Sequence, residues 1–380
     1  MTFDLVVAGG DVLDPGAGLA GRMDVGVRDG RIAAVGPGLD RRGAARVVDA
    51  GGALVLPGLV DLHTHVYWGA TYYGVLPGPM AARTGVTTWV DAGSAGAYGM
   101  AGLKAFVADP APVRVRCFIN VSCLGLAAPV REVALPEFCD VEACVRTARR
   151  YEGFVVGVKV RASAKPTGAM GVRPLELARR AARELGLPLM VHIGNAPPEL
   201  SEVLPLLEAG DVVTHCFTGH GMSIVDGDGR VREMAASARE RGVLFDVGHG
   251  SGSFAFPVAG AATEAGFWPD VISTDAHVAS VEGEMGDLAR CMSKLLALGM
   301  PLARVVEAAT AAPARVIGME GEIGTLRVGA RADVTLAAVE DGRFAFRDID
   351  GVERRGDRRV TVRGAIAAGR VLEEEEVSKR

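Results

Sequence analysis

Long apolar runs are missing from this chain of 380 residues. None approaches the roughly 20 residues needed to cross a bilayer, which argues against a membrane-spanning helix. Basic charge is not in excess either. Asp and Glu total 46 against 41 Lys and Arg, a formal net charge of -5, so neither a nucleic-acid partner nor an anionic membrane surface is expected. The first residues, Met1, Thr2, Phe3 and Asp4, hold an acid and no Lys or Arg, so no secretory leader is expected and the cytoplasm is the expected home. Cysteine is sparse and unpatterned: Cys117, Cys123, Cys139, Cys144, Cys216 and Cys291 form no C-x-x-C pair and read as buried small hydrophobes. Aromatics make up only 5% while glycine numbers 51 without a third-residue period, which excludes collagen and suits a turn-rich globular enzyme. Lysine is rare, five against 36 arginines.

What is present is a repeating pattern. Apolar, β-branched runs begin near Leu59, Val86, Val115, Phe154, Pro188, Asp211, Val243 and Asp270. Helix-period segments separate several of them, such as Pro174 to Leu185 and Leu288 to Leu296. Eight strands alternating with helices predict an α/β fold, a (β/α)8 TIM barrel over residues 57–318; an open doubly wound sheet would leave one or more strands unexplained. The ends of the chain are strand-like instead. Asp29-Gly30 between two alternating runs, Val25 to Arg28 and Arg31 to Val35, is a hairpin signal, because both residues tolerate positive φ. Further strands are expected over Asp333 to Ala337, around Gly342 to Phe346 and over Val360 to Gly364. Residues 1–56 and 319–380 are thus expected to build one small β-sandwich-like domain, with a solvated tail at Glu373 to Glu376, Lys379 and Arg380.

Active sites of such barrels form at the C-terminal strand ends, so polar residues late in apolar strands are the informative ones. The first strand ends in His63-Thr64-His65, whose imidazoles share a face because strand side chains alternate. The fourth carries Lys159 and Arg161, the fifth ends in His192, the sixth in His215 and the eighth in Asp275. Each alone has a bland explanation: a core histidine with its hydrogen bonds made, or a helix-capping aspartate. Imidazole and carboxylate converging from different strands make a site for a divalent ion, zinc being the expected one. Lys159 is the lysine that sits mid-strand in an apolar run. As a neutral amine it can take up carbon dioxide to give a carbamate, an anionic two-oxygen ligand able to bridge two metals; an anion-binding or Schiff-base lysine is the alternative.

The run Leu56-Pro57-Gly58-Leu59-Val60-Asp61-Leu62-His63-Thr64-His65, followed in order by Lys159, His192, His215 and Asp275, resembles the amidohydrolase superfamily, and within it the dihydroorotase-like branch and its deacetylase members. The resemblance extends to Thr310-Ala311-Ala312-Pro313-Ala314-Arg315 and to the flanking β domain. It implies two divalent metal ions. His63, His65, Asp275 and the carbamate of Lys159 would hold the more buried one, and His192, His215 and the same carbamate the other. It also implies a bridging hydroxide as nucleophile, with Asp275 as general base and then general acid.

Substrate contacts are more open. Arg161 shares a strand face with Lys159 and either binds a substrate carboxylate or forms a barrel-mouth salt bridge. His249 and Gly250 lie in the glycine-rich loop after the seventh strand, an anion site or a lid. His277 contacts substrate or supports the metal ligands. Tyr67, Trp68, Tyr72 and Tyr73 wall the pocket or mediate association into a homo-oligomer. The expected reaction is hydrolysis of an amide or ester in a small, carboxylate-bearing molecule, deacetylation above all. A cyclic amidohydrolase of the dihydroorotase, dihydropyrimidinase or allantoinase kind is the enzymatic alternative, and a non-catalytic scaffold the alternative of another class.

Overall fold

The computed structural model describes residues 2–127 and 130–373, so the tail reading falls outside the described residues beyond Glu373. The N-terminal strands are β1 (Leu5–Asp14), β2 (Leu19–Arg28), β3 (Arg31–Gly36), β4 (Arg46–Asp49) and β5 (Leu54–Pro57). The turn between β2 and β3 is the expected tight one: φ is 52° at Asp29 and 69° at Gly30, and Arg28 pairs with Arg31. Positive φ at both central residues is what a primed turn demands, and its twist matches the strands it joins.

The barrel strands follow: β6 (Leu59–Thr64), β7 (Val86–Ala92), β8 (Arg114–Asn120), β9 (Val155–Arg161), β10 (Leu189–His192), β11 (Val212–Thr214) and β12 (Leu244–Asp246). They are parallel and neighbour one another in chain order. The eighth strand is irregular. Residues 271–276 close the ring by single bridges, Asp246 to Val271 and Thr64 to Ala276. The irregularity has a cause. The Thr274 N–H donates to the Asp61 carboxylate at 3.0 Å instead of to a strand carbonyl, and Asp275 adopts φ 50°. The two expected helices form as Arg173–Leu185 and Leu288–Ala297. Gly186 ends the first in the left-handed conformation, and the Asp287 side chain caps the second by accepting from Arg290 N.

The C-terminal strands β13 (Val334–Arg347), β14 (Glu353–Ala367) and β15 (Arg370–Leu372) rejoin the N-terminal ones, in the order β15-β14-β13-β5-β1-β2-β3 with β4 beside β1. The two strands expected near Asp333 and Gly342 are one continuous strand, because a bulge between Asp341 and Phe344 absorbs the irregularity while β14 pairs on both sides of it. Leu5, Val25, Val27, Ile32, Val55, Val334 and Ile366 fill the core of this sheet. The β13–β14 hairpin leans on the barrel, where Val360 N donates to Ser293 Oγ at 2.9 Å. All six cysteines are buried and unpaired. Among the described residues no helix is long and apolar enough to cross a membrane.

Candidate metal centre and active site

His63 stands near the C-terminal end of β6 and His65 just past it, with ring centroids 5.5 Å apart. Lys159 comes from β9, His192 from the end of β10 and His215 from the residue after β11. The His63 and His215 rings lie 5.1 Å apart, and those of His192 and His215 4.4 Å apart. Asp275 Oδ1 is 3.1 Å from His65 Nε2 and 3.5 Å from His63 Nε2. Lys159 Nζ is 3.2 Å from His63 Nε2. All six expected ligands therefore meet, in a cavity of about 190 Å³ at the C-terminal mouth of the barrel. A larger hollow of about 790 Å³ opens at the other end. There Arg179 is already paired with Asp211, Arg183 with Glu208 and Arg315 with Glu307, so it brings no comparable chemistry together.

Hydrogen bonds behind the imidazoles set which nitrogen faces the cavity. Thr214 Oγ1 gives its one proton to Asp246 Oδ2 at 2.7 Å, so it must accept from His63 Nδ1–H, also at 2.7 Å. The carbonyl of Gly248 can only accept, so His215 Nδ1 donates to it at 2.6 Å. Both rings are left with the Nε2 lone pair free, the tautomer a metal ligand needs. Behind His65, Ser94 Oγ lies 2.9 Å from Nδ1, and the Asp91 carboxylate accepts from Ser94 N and Val66 N.

Electrostatics agree with this picture. Burial pushes His63 and His192 well below the ordinary histidine range and His215 to about 4. Neutral imidazole at neutral pH is the metal-binding form. Burial also lowers Lys159 to about 7, and its hydrogen-bond neighbours among the described residues are only His63 Nε2 and Met190 Sδ. For Asp275, burial works upward, but the imidazoles packed around it, with hydrogen bonds from His277 and His65, outweigh it and hold the carboxyl well below its usual range.

The other candidates separate. Arg161 lines the cavity, but its Nε and Nη2 donate to the buried Glu132 carboxylate, both at 2.6 Å, so the salt bridge is formed. His277 lines it as well; its Nδ1 donates to Asp275 O at 2.7 Å and its Nε2 lies 3.2 Å from Ser251 Oγ. Tyr67 does not line it. Its hydroxyl donates to Gly99 O at 2.9 Å, away from the histidine cluster, and Tyr73 takes the wall position with its ring 5.8 Å from that of His65. His249 is fully buried behind the wall, stacked on Phe254 at 4.6 Å, out of reach of a substrate. The exposed His220 donates from Nε2 to Gly252 O at 2.8 Å and braces the same loop from outside. Gly250 is required sterically: φ is +56°, and a Cβ there would sit 2.5 Å from Asp275 Oδ2. Gly250→Ala is expected to lose about 1–3 kcal/mol of stability through backbone strain, and activity as well, because Asp275 must move. A chemical denaturation curve and kcat for the same preparation check it.

Sequence reasoning passed over Asp91, Asn120 and Asp246. They stand at or one residue before the ends of β7, β8 and β12, and so meet the same criterion, a polar residue late in an apolar strand, that singled out the six expected ligands. Asp91 and Asp246 serve the histidines from behind; Asn120 lines the cavity and donates to Gly93 O at 3.0 Å.

A ring of parallel strands with ionisable groups converging at its C-terminal mouth defines a (β/α)8-barrel enzyme. Similarity to known proteins makes this specific. The amidohydrolase family model matches residues 54–365, and the chain belongs to that family. A deacetylase from Agrobacterium fabrum is 40% identical over 352 residues, covering 90% of this chain and 86% of its own length. Among solved structures, a dihydroorotase superposes with a TM-score of 0.90 at 37% identity over 97% of each chain. An adenine deaminase does so with a TM-score of 0.91 at 32% identity over 97% of this chain and 99% of its own.

Proposed function

We propose that this chain is a metal-dependent hydrolase that removes an acyl group, acetyl above all, from a small carboxylate-bearing amide or ester. One observation carries the reading: His63, His65, Lys159, His192, His215 and Asp275 converge on one cavity with two of the imidazoles locked in the ligating tautomer. The donor set fits a pair of divalent ions, zinc as the first candidate. His63, His65 and Asp275 would hold one, since their ligand atoms all lie within 4.8 Å of one another, and His192 and His215 the other. Lys159 would serve both as a carbamate: its neutral amine bonds the carbon of carbon dioxide and one N–H proton leaves. A buried amine beside an imidazole lone pair, with no ion-pair partner among the described residues, suits that conversion. The ions would polarise a carbonyl oxygen and make water acidic enough to deprotonate near neutral pH. Residues 57–318 are assigned to this catalytic barrel, and 1–56 with 319–380 to the supporting β domain.

The side chains supply the rest. Asp275, ionised and aimed between His63 and His65, takes the proton of the attacking water and delivers it to the departing amine or alkoxide. His277 holds the Asp275 main chain from Nδ1, fixing the carboxylate in its left-handed backbone. Arg161, braced by Glu132 and beside Tyr73, lines the cavity as the cation for the substrate carboxylate. Tyr73 closes the wall over His65 and His277.

Cyclic amide hydrolysis is the second reading, favoured by the likeness to a dihydroorotase structure. A panel of N-acetyl and O-acetyl carboxylic acids run against dihydroorotate and hydantoin-type rings separates the two. Turnover of the acyclic acids at least about tenfold above the rings is expected, and the reverse order overturns the deacetylase reading. Metal content tests the catalytic reading as a whole. Less than about one divalent ion per chain after gentle purification, with no gain on adding zinc and bicarbonate, would favour a scaffold.

A further inference from the structure

Lys294 is a fully buried ammonium with no part in the chemistry above. It projects from the helix Leu288–Ala297, and its Nζ donates to His249 Nε2 at 2.7 Å, to Glu284 O at 2.8 Å and to Arg347 O at 2.6 Å. An ammonium has three N–H donors. Here each finds an acceptor on a different segment: the loop after β12, the loop before the helix, and the last residue of β13. Its Nζ also lies 5.4 Å from the centre of the Phe254 ring, on which His249 stacks. His249 Nδ1 donates to Gly250 O at 2.9 Å, which leaves Nε2 as the acceptor Lys294 needs.

The residue after Arg347 completes the grip. Asp348, buried at the tip of the β13–β14 hairpin, accepts from Phe256 N through Oδ2 at 2.8 Å. Its Oδ1 accepts from Asp350 N and Val352 N, and Ile349 N donates to Phe254 O at 3.3 Å. The stretch from His249 to Phe256 is thus pinned at both ends. Between the pins, Ser251, Gly252 and Ser253 form part of the cavity wall, with Ser251 Oγ against His277. A methionine of similar length would fill the same space without the cost of desolvating a charge. It could not tie three segments together.

We propose that Lys294 is a positioning residue of the active site: with Asp348 it fixes the wall Ser251–Ser253 against the metal-ligand cluster and so makes the C-terminal hairpin part of the substrate-binding machinery. The kinetic side of this proposal rests on the deacylase reading; the structural side does not.

The test compares the full-length protein with Lys294→Met, His249→Leu and His249→Gln. Three quantities are measured on each: amide hydrogen exchange in residues 251–255, metal bound per chain, and kcat and KM for an acetylated acid. Lys294→Met and His249→Leu are expected to raise exchange in that segment about tenfold or more while the helix Arg173–Leu185 and the metal content stay as in the parent. In both, kcat/KM is expected to fall about tenfold or more, carried mainly by KM, because the wall orients bound substrate and takes no part in the bond-breaking step. His249→Gln retains an acceptor for Lys294 and is expected to recover most of what His249→Leu loses. Should Lys294→Met fail to fold, the His249 pair decides, since it leaves the ammonium in place. Unchanged exchange in a folded variant overturns the proposal. So does raised exchange with KM and kcat both unmoved, which would make the contact merely structural. If the parent protein hydrolyses no acyl substrate, the deacylase reading fails, and exchange confined to residues 251–255 still decides the clamp.

Discussion

Asp275→Asn keeps most of its metal and loses turnover by about 10²–10⁴-fold, the range a positioned general acid–base contributes. The amide has the volume of the carboxylate, so the contact with Gly250 is preserved. Its carbonyl can still accept from or ligate where Oδ1 now stands, 3.1 Å from His65 Nε2. What the amide lacks is basicity. It cannot take a proton from water or return one to a leaving group. Metal analysis and kcat on the same sample separate the two effects. Undiminished turnover would remove Asp275 from proton transfer, whereas parallel loss of metal and activity would make it a ligand alone.

Lys159→Met is expected to be more damaging to the metal site itself. Methionine matches the length of the buried stem and packs in the same apolar run of β9, so the fold should survive. The nitrogen that would carry the carbamate is gone, along with the one anionic side chain proposed to serve both ions. Metal affinity is expected to fall by more than the 10–100-fold typical of losing a ligand's supporting partner, and turnover with it. Reconstitution provides a second reading. Metal-free parent protein should regain activity with zinc faster or further when bicarbonate is supplied, and Lys159→Met should show no such dependence. A Schiff-base role predicts something else, a covalent adduct trapped by borohydride with a carbonyl substrate, and that result would displace the carbamate.

The sequence carried the cluster of polar strand ends because the rules that create it are local. A barrel strand is a short apolar run, and a polar residue at its end is visible in one dimension. His63 and His65 share a face because strand side chains alternate, whatever the rest of the chain does. The same criterion applied without preference for histidine would also have marked Asp91, Asn120 and Asp246. The salt bridge of Arg161 was legible as one of two options, but its partner was not, because Glu132 arrives from a loop 29 positions earlier. Tyr67 and Tyr73 belong to one aromatic run. Only the path of that loop decides that Tyr67 turns to Gly99 while Tyr73 faces His65 and His277.

Lys294 shows the limit most sharply. On the chain it is one lysine in an amphipathic helix, near Met292 and Leu295, and nothing nearby marks it as buried. Its three acceptors lie 10, 45 and 53 positions away. By itself the sequence determined the succession of barrel strands, the Asp29-Gly30 hairpin and the six side chains that meet in the cavity, because alternation, turn chemistry and strand-end placement act over a few residues. The tertiary structure alone decided tautomers, the partner of Arg161, the wall of the cavity and the clamp behind it. Those depend on which distant groups can reach a buried donor or acceptor, and only the completed packing answers that.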